Sequence, residues 1–225
     1  VLLYSYWFSV VANGAVLAAK ENPHALVVTR AHRSDVYEEV NENQRIPCRD
    51  EFAPMLDMIF PISEGARTYM LRRYSVRPGS LYVSRLGVEC HRAEATSGHK
   101  PESLLILSVS NIVRVKRVDL IAEVVAAIAS RLRDQRVRWV HIGDGPEGAR
   151  VRSYCGELFE GIPTAEVSFA GRLDNEDVIK MLGSLNPAFF INMSQNEGIP
   201  VSIMEAMCFG IPTIATDVGA TGELV

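Results

Sequence analysis

The sequence predicts an α/β protein built on parallel sheets, and three observations carry that reading. Short apolar runs alternate with longer stretches of helical periodicity through most of the chain, the pattern of βαβ units. One polar stretch, from Gly87 to Ser103, interrupts that alternation and marks a boundary. The 225 residues are 48% hydrophobic and 22% charged, a balance that sustains one large core or two small ones and excludes disordered, fibrous and low-complexity classes. The expected organisation is a first domain over residues 1–90, a linker over 91–103 and a second domain over 104–225.

In the first half the expected strands are Leu2–Tyr6, Ala25–Thr29, Met58–Ile62 and Leu81–Ser84, with a helix over Glu64–Tyr74 opened by Ser63 as N-cap. The uncharged opening, Val1 to Ala19, has two readings: a membrane span, or a buried strand followed by a helix. Ser5, Ser9 and Asn13 interrupt it, Gly14 lies in its middle and no basic flank precedes it, which favours strand and helix. The second half is more regular. Strands over Leu104–Val109, Arg138–Ile142, Val167–Ala170, Ala188–Asn192 and Thr213–Thr216 alternate with helices over Val118–Arg133, Gly148–Phe159, Asn175–Leu182 and Pro200–Phe209. In the first of these helices Ile121, Val124, Val125, Ile128 and Leu132 share one stripe. The chain opens without Met and stops just after a strand-like run, so the expectation is a fragment, with the first domain and the end of the second incomplete.

The 23 basic and 27 acidic residues give a net charge of −4, which argues against a dedicated nucleic-acid surface. The four cysteines, Cys48, Cys90, Cys155 and Cys208, include no C-x-x-C pair, so neither a disulfide framework nor a zinc knuckle is expected, and a reducing cytoplasm is the default. Cys90, His91 and His99 form the one Cys/His cluster, in a polar loop with no second ligand pair; no metal site is expected.

In a doubly wound sheet, ligands bind where strands end, so the loops Ser110–Arg117, Gly143–Glu147, Gly171–Asp174, Ser194–Pro200 and Asp217–Gly222 hold the candidate chemistry. The richest runs from Ser194 to Met207. Pro200 suits the first helical position, which puts Glu197 just before the helix and Glu205 about 7 to 8 Å along its axis. The N–H groups of Gly198, Ile199 and Val201 and the positive helix end can hold a phosphate, and the carboxylates can accept from sugar hydroxyls. Lys116, with Arg114 or Arg117, is the source of compensating positive charge. The plainer alternative makes Glu197 a cap, Glu205 a solvated helix residue, and Lys116 and Arg117 the water-facing start of a helix. The turn Gly143–Glu147 (GDGPE) is by itself ordinary turn chemistry. No G-x-G-x-x-G fingerprint and no G-x-x-x-x-G-K-[ST] loop occurs, which disfavours dehydrogenases and P-loop enzymes.

Taken together, Ser108–Lys116 (SVSNIVRVK), Gly143–Glu147, Phe169–Gly171, the E-x7-E spacing of Glu197 and Glu205, and Thr216–Gly219 with Glu223 resemble group 1 glycosyltransferases over residues ~104–225. Tyr4–Trp7, Thr29–Tyr37, Phe60–Glu64 and Ser84–Gly87 are similar to the amino-terminal domain of bacterial surface-polysaccharide members. The resemblance implies a GT-B fold of two Rossmann-like domains and a retaining, metal-independent transferase needing no cofactor. It implies Glu205 on the donor ribose, Glu197 on the transferred sugar and Lys116 on the diphosphate, with Gly143, Gly145 and Arg172 also on the donor side. His32 matches a family histidine near the reacting sugar, although a strand-end His also has a purely structural reading. One departure is Asn111, where many members carry Arg; Arg114 or Arg117 is the replacement cation.

The expected function is hexosyl transfer from a nucleotide-diphosphate sugar to a glycan or lipid-linked acceptor, in surface polysaccharide biosynthesis. The expected location is the cytoplasm, with peripheral attachment to the inner membrane face and no nucleic-acid partner. A nucleotide-sugar epimerase of the same fold and a catalytically silent nucleotide-sugar-binding module are the alternatives.

Overall fold

The computed structural model describes residues 1–41, 43–90 and 103–225. The expected linker, together with His91 and His99, lies outside the described residues apart from Ser103. Residues 1–86 with 197–199 form one compact unit, and residues 87–196 with 200–225 form another.

The first unit carries a three-stranded parallel sheet in the order β1 (Leu2–Ser5), β2 (Leu26–Ala31), β3 (Met58–Pro61), with helices α1 (Val10–Ala19), α2 (Arg49–Phe52) and α3 (Glu64–Arg73). The apolar opening is therefore a strand and a ten-residue helix, N-capped by Ser9, whose hydroxyl accepts from the Val11 N–H. Among the described residues no helix is long and apolar enough to cross a membrane. As its sequence indicates, α3 begins at Ser63, whose hydroxyl accepts from the Ala66 N–H. Phe8, Val27, Leu56, Ile59, Met70 and Tyr74 form the core of this unit.

The expected strand Leu81–Ser84 is reduced to a single bridge, Leu81 to Ile59. Pro78–Ser80 is a 3-10 turn, and the N–H groups of Tyr82 and Ser84 still donate to Ile59 and Pro61. The Arg30 guanidinium takes the carbonyls of Ser84 (2.6 Å) and Arg85 (2.8 Å), which supplies a side-chain partner where a strand would offer backbone.

In the second unit β4 (Ser103–Val109), β5 (Arg136–Ile142), β6 (Ala165–Gly171), β7 (Phe189–Asn192) and β8 (Thr213–Ala215) form a parallel sheet in the order β6-β5-β4-β7-β8. Four helices connect them: α4 (Val118–Arg131), α5 (Gly148–Leu158), α6 (Asn175–Leu185) and α7 (Val201–Cys208). Because strand side chains alternate, β4 feeds two cores. Ile106 joins Ile121, Val125, Trp139 and Val151 on the α4/α5 face, while Leu105 and Leu107 join Val140, Val178, Leu182 and Ile203 on the α6/α7 face. The chain thus has the parallel α/β build expected of the GT-B fold.

The cysteine expectation is corrected. Cys90 and Cys208 are disulfide-bonded, with Cα atoms 5.1 Å apart, while Cys48 and Cys155 are free. A separation of 118 residues gives no spacing signature, because folding alone brings the end of α7 to Cys90.

Candidate functional site

The strand order of the second unit reverses at β4. The chain winds outward through β5 and β6, then returns to β7 and β8 on the other side, so the crevice at the carboxyl ends of β4 and β7 is the topological switch point. The two loops that leave it are tied together. Arg117, held at φ 46°, donates from Nε to the Met193 carbonyl (2.6 Å) and from Nη2 to the Ser194 carbonyl (3.4 Å). The Gln195 N–H donates to the Val115 carbonyl (2.7 Å), and Asn192 Oδ1 accepts from the Ser194 N–H (2.9 Å).

A third loop supports the first from below. The Ser110 N–H donates to the Ile142 carbonyl, the Ile112 N–H to Asp144, and the Glu147 N–H to Ile112. This contact requires glycine. A Cβ on Gly143, at φ 138°, would lie 1.9 Å from the Ser110 carbonyl oxygen, and one on Gly145 would lie 2.5 Å from that of Ile112. Gly143 and Gly145 therefore support the loop that carries Lys116.

Beneath that loop runs a buried polar chain. Trp139 Nε1 donates to Ser108 Oγ (2.9 Å), Ser108 Oγ pairs with His141 Nδ1 (2.8 Å), and His141 Nε2 faces the Ser110 carbonyl (3.1 Å). Burial pushes the His141 pKa down to about 4, against smaller upward effects of the Ser110 carbonyl and Asp144. The ring is therefore neutral at pH 7. With Nε2 protonated, each of these groups has a partner: Trp139 donates to Ser108, Ser108 to His141, and His141 to Ser110.

Of the sequence candidates in this unit, Glu205 lies on the buried face of α7, 6% exposed, beside Ile203, Met204 and Ala206. It is not the solvated helix residue of the plainer reading. Its Oε1 accepts from Asn175 Nδ2 (2.7 Å), at the start of α6. Pro200 is the N-cap and not the first helical residue, because its ψ of 110° keeps it extended; Val201 begins the helix, and its N–H lacks an intrahelical partner. Lys116 ends a 3-10 turn, Arg114–Lys116, and is half-buried, whereas Asn111 is exposed. The two replacement cations differ. Arg117 is engaged by backbone carbonyls, while the Arg114 side chain is 90% exposed, with Nε 3.9 Å from Glu147 Oε1. Arg172 is exposed just beyond β6. Glu197, 7% exposed, groups with Gly198 and Ile199 in the first unit.

In the first unit His32 follows β2 and is 7% exposed. Asp35 anchors it: Oδ1 accepts from the His32 N–H (2.7 Å), while Oδ2 accepts from the Phe8 N–H (2.9 Å) and lies 3.6 Å from His32 Nδ1. Tyr6 and Trp7 pack on the imidazole with ring centroids at 4.8 and 4.1 Å. Arg49 closes this network from beneath, donating to the carbonyls of Phe8 and Asp35 with its guanidinium 3.2 Å from the Phe8 ring centre. Burial lowers its pKa to about 10.

Sequence reasoning did not single out Asn175, Asp35 or the Trp139–Ser108–His141 chain. Asp35 lies three residues after His32, a local signal; the others depend on strand order and helix packing. Among the described residues no three His, Cys, Asp or Glu side chains gather as a metal site.

Comparison with known proteins bears on the family and the fold. Residues 92–225 match the family model described as glycosyl transferases group 1. A Salmonella typhimurium protein named for colanic acid biosynthesis, WcaL, is 30% identical over 75% of this chain and 41% of its own length. Curated relatives as a group are matched over 22% to 49% of their lengths, so the chain spans less than half of each. Among solved structures, the lipopolysaccharide outer core galactosyltransferase WaaB superposes with a TM-score of 0.74 at 19% identity, covering 99% of this chain and 58% of that one. Anabaena HepE, solved with UDP and glucose, superposes with a TM-score of 0.71 at 16% identity, covering 100% and 61%. The family match takes in all of β4 to β8 and the switch-point loops, and on that ground the chain belongs to the group 1 glycosyltransferase family.

Proposed function

We propose that the second unit binds a nucleotide-diphosphate sugar and that the protein transfers its hexosyl group, with retention, to a glycan or lipid-linked acceptor in surface polysaccharide biosynthesis. The observation that carries this reading is the switch-point crevice of the second unit, where the Lys116 loop and the loop leading to the Glu205 helix are bonded to one another. In this reading Glu205 accepts from the ribose hydroxyls, and Lys116 and the Val201 N–H face the diphosphate. Glu197 accepts from the hydroxyls of the transferred sugar, and His32 stands near the reacting centre. Gly143 and Gly145 fix the height of the Lys116 loop. Arg114 is the better replacement for the arginine absent at Asn111, since Arg117 is held by Met193 and Ser194.

The chemistry follows from the leaving group. Breaking the anomeric C–O bond leaves negative charge on a nucleoside diphosphate, and fixed donors aimed at it lower the barrier without a protein nucleophile. The names of WcaL and WaaB support polysaccharide or lipopolysaccharide acceptors, and the UDP and glucose bound to HepE support a uridine nucleotide donor. The protein works in the cytoplasm, at the inner membrane face where lipid-linked acceptors are presented.

Titration calorimetry with UDP, GDP and ADP tests the donor site. One of the three is expected to bind, and Lys116→Ala to weaken it ten- to a hundredfold, the loss of about 1.5 to 3 kcal/mol for a hydrogen bond to a charged group. No binding by any of them, or equal binding to the variant, would remove the assignment.

A further inference from the structure

The geometry points to Asn175 as a positioning residue for Glu205, one that sets how strongly the site distinguishes a ribonucleotide from its deoxy counterpart. This inference rests on the proposed donor site and extends it to a residue outside the family motifs quoted above. Asn175 is the first residue of α6, yet its side chain does not cap that helix; its amide reaches to α7 and donates to Glu205 Oε1 at 2.7 Å. Asn175 is the sole hydrogen-bond partner of the Glu205 carboxylate among the described residues, and Glu205 itself is 6% exposed. The second carboxylate oxygen, Oε2, is not among the buried side-chain atoms without a partner, so it stays open on a largely buried residue and its lone pairs can accept from a ligand that brings donors. The vicinal hydroxyls of a ribose are such a ligand. By fixing Oε1, Asn175 limits the carboxylate to one orientation and leaves Oε2 for the diol, so that orientation is set before the ligand arrives.

Asn175→Asp separates this role from a structural one. Aspartate has the shape of asparagine and is favoured in the first turn of a helix, so α6 keeps its start. The amide donor becomes an acceptor beside Glu205, and the orientation is lost. The test measures the affinity of UDP, GDP or ADP, whichever binds, against its 2′-deoxy form, with inorganic pyrophosphate as a probe of the Lys116 side alone. In the parent chain the ribonucleotide is expected to bind at least about tenfold tighter than the deoxy form. In Asn175→Asp that ratio falls to within about threefold of unity, while pyrophosphate affinity stays unchanged. A ratio that survives the substitution would overturn the inference and leave the donor site standing, as would an equal fall in all affinities, pyrophosphate included. Glu205→Gln checks the underlying reading: if the parent shows no discrimination, or Glu205→Gln retains it, the ribose assignment fails and the role of Asn175 fails with it.

Discussion

Lowering the pH from 7.5 to 5.0 destabilises the second unit through the buried side chain of His141. Its folded pKa is depressed from 6.5 to about 4 by burial, so the native state holds it neutral while the unfolded chain binds a proton from pH 6.5 downward. The stability from this residue is complete above pH 6.5 and is lost as the pH falls toward 4. A displacement of that size corresponds to about 3 kcal/mol in full, of which about 2 kcal/mol has gone at pH 5.0. Urea unfolding at fixed pH measures it, with Trp139 emission as reporter: that indole is fully buried and bonded into the same chain. The other of the two tryptophans, Trp7, is half-exposed in the first unit and is replaced by Phe in the background. His141→Asn, which cannot titrate, is less stable than the parent at pH 7.5 but loses little more on going to pH 5.0. Equal losses in the two chains over that interval would refute the buried neutral imidazole.

Ser108→Ala removes the hydroxyl between Trp139 Nε1 and His141 Nδ1 and leaves two buried polar groups without partners; a loss of about 2 to 4 kcal/mol is expected in the same unfolding assay. Gly145→Ala forces a methyl to within 2.5 Å of the Ile112 carbonyl, so the Lys116 loop must shift, and calorimetry should show weaker nucleotide binding in a chain whose circular dichroism spectrum is preserved. Cys208→Ser opens the 118-residue link to Cys90; chain entropy puts the cost at up to about 5 kcal/mol under oxidising conditions, and dithiothreitol should bring the parent down to the variant. Mass spectrometry after alkylation without reductant checks the pairing directly, through two blocked and two modified cysteines.

The elements were legible because each carries its own periodicity. The α4 stripe of Ile121, Val125 and Ile128, the Ser63 cap and the short β-branched runs are local signals, and the bounds of the elements expected and observed coincide or differ by at most three residues. The switch-point loops were legible as well, since ligand sites follow strand ends. Pairings between distant residues were not. Ser108 meets His141 only because β4 and β5 align with those two residues opposite each other, and Asn175 reaches Glu205 only because α6 and α7 lie side by side on one face. Arg117 is a further case: its sequence position makes it one of two candidate phosphate cations beside Arg114, and a left-handed backbone turns its guanidinium onto the carbonyls of Met193 and Ser194, a pairing the sequence does not show. The Leu81–Ser84 segment keeps one bridge and two N–H donations to β3, while Arg30 takes the carbonyls of Ser84 and Arg85, a distant pairing of the same kind.

A crystal structure of the chain with its bound nucleoside diphosphate tests the central claim most directly. The account predicts the diphosphate at the carboxyl ends of β4 and β7, within hydrogen-bond reach of Lys116 Nζ, and both ribose hydroxyls on Glu205 with Asn175 still bonded to Oε1. A nucleotide seated elsewhere in the sheet, or one at the switch point that touches neither Lys116 nor Glu205, would contradict it.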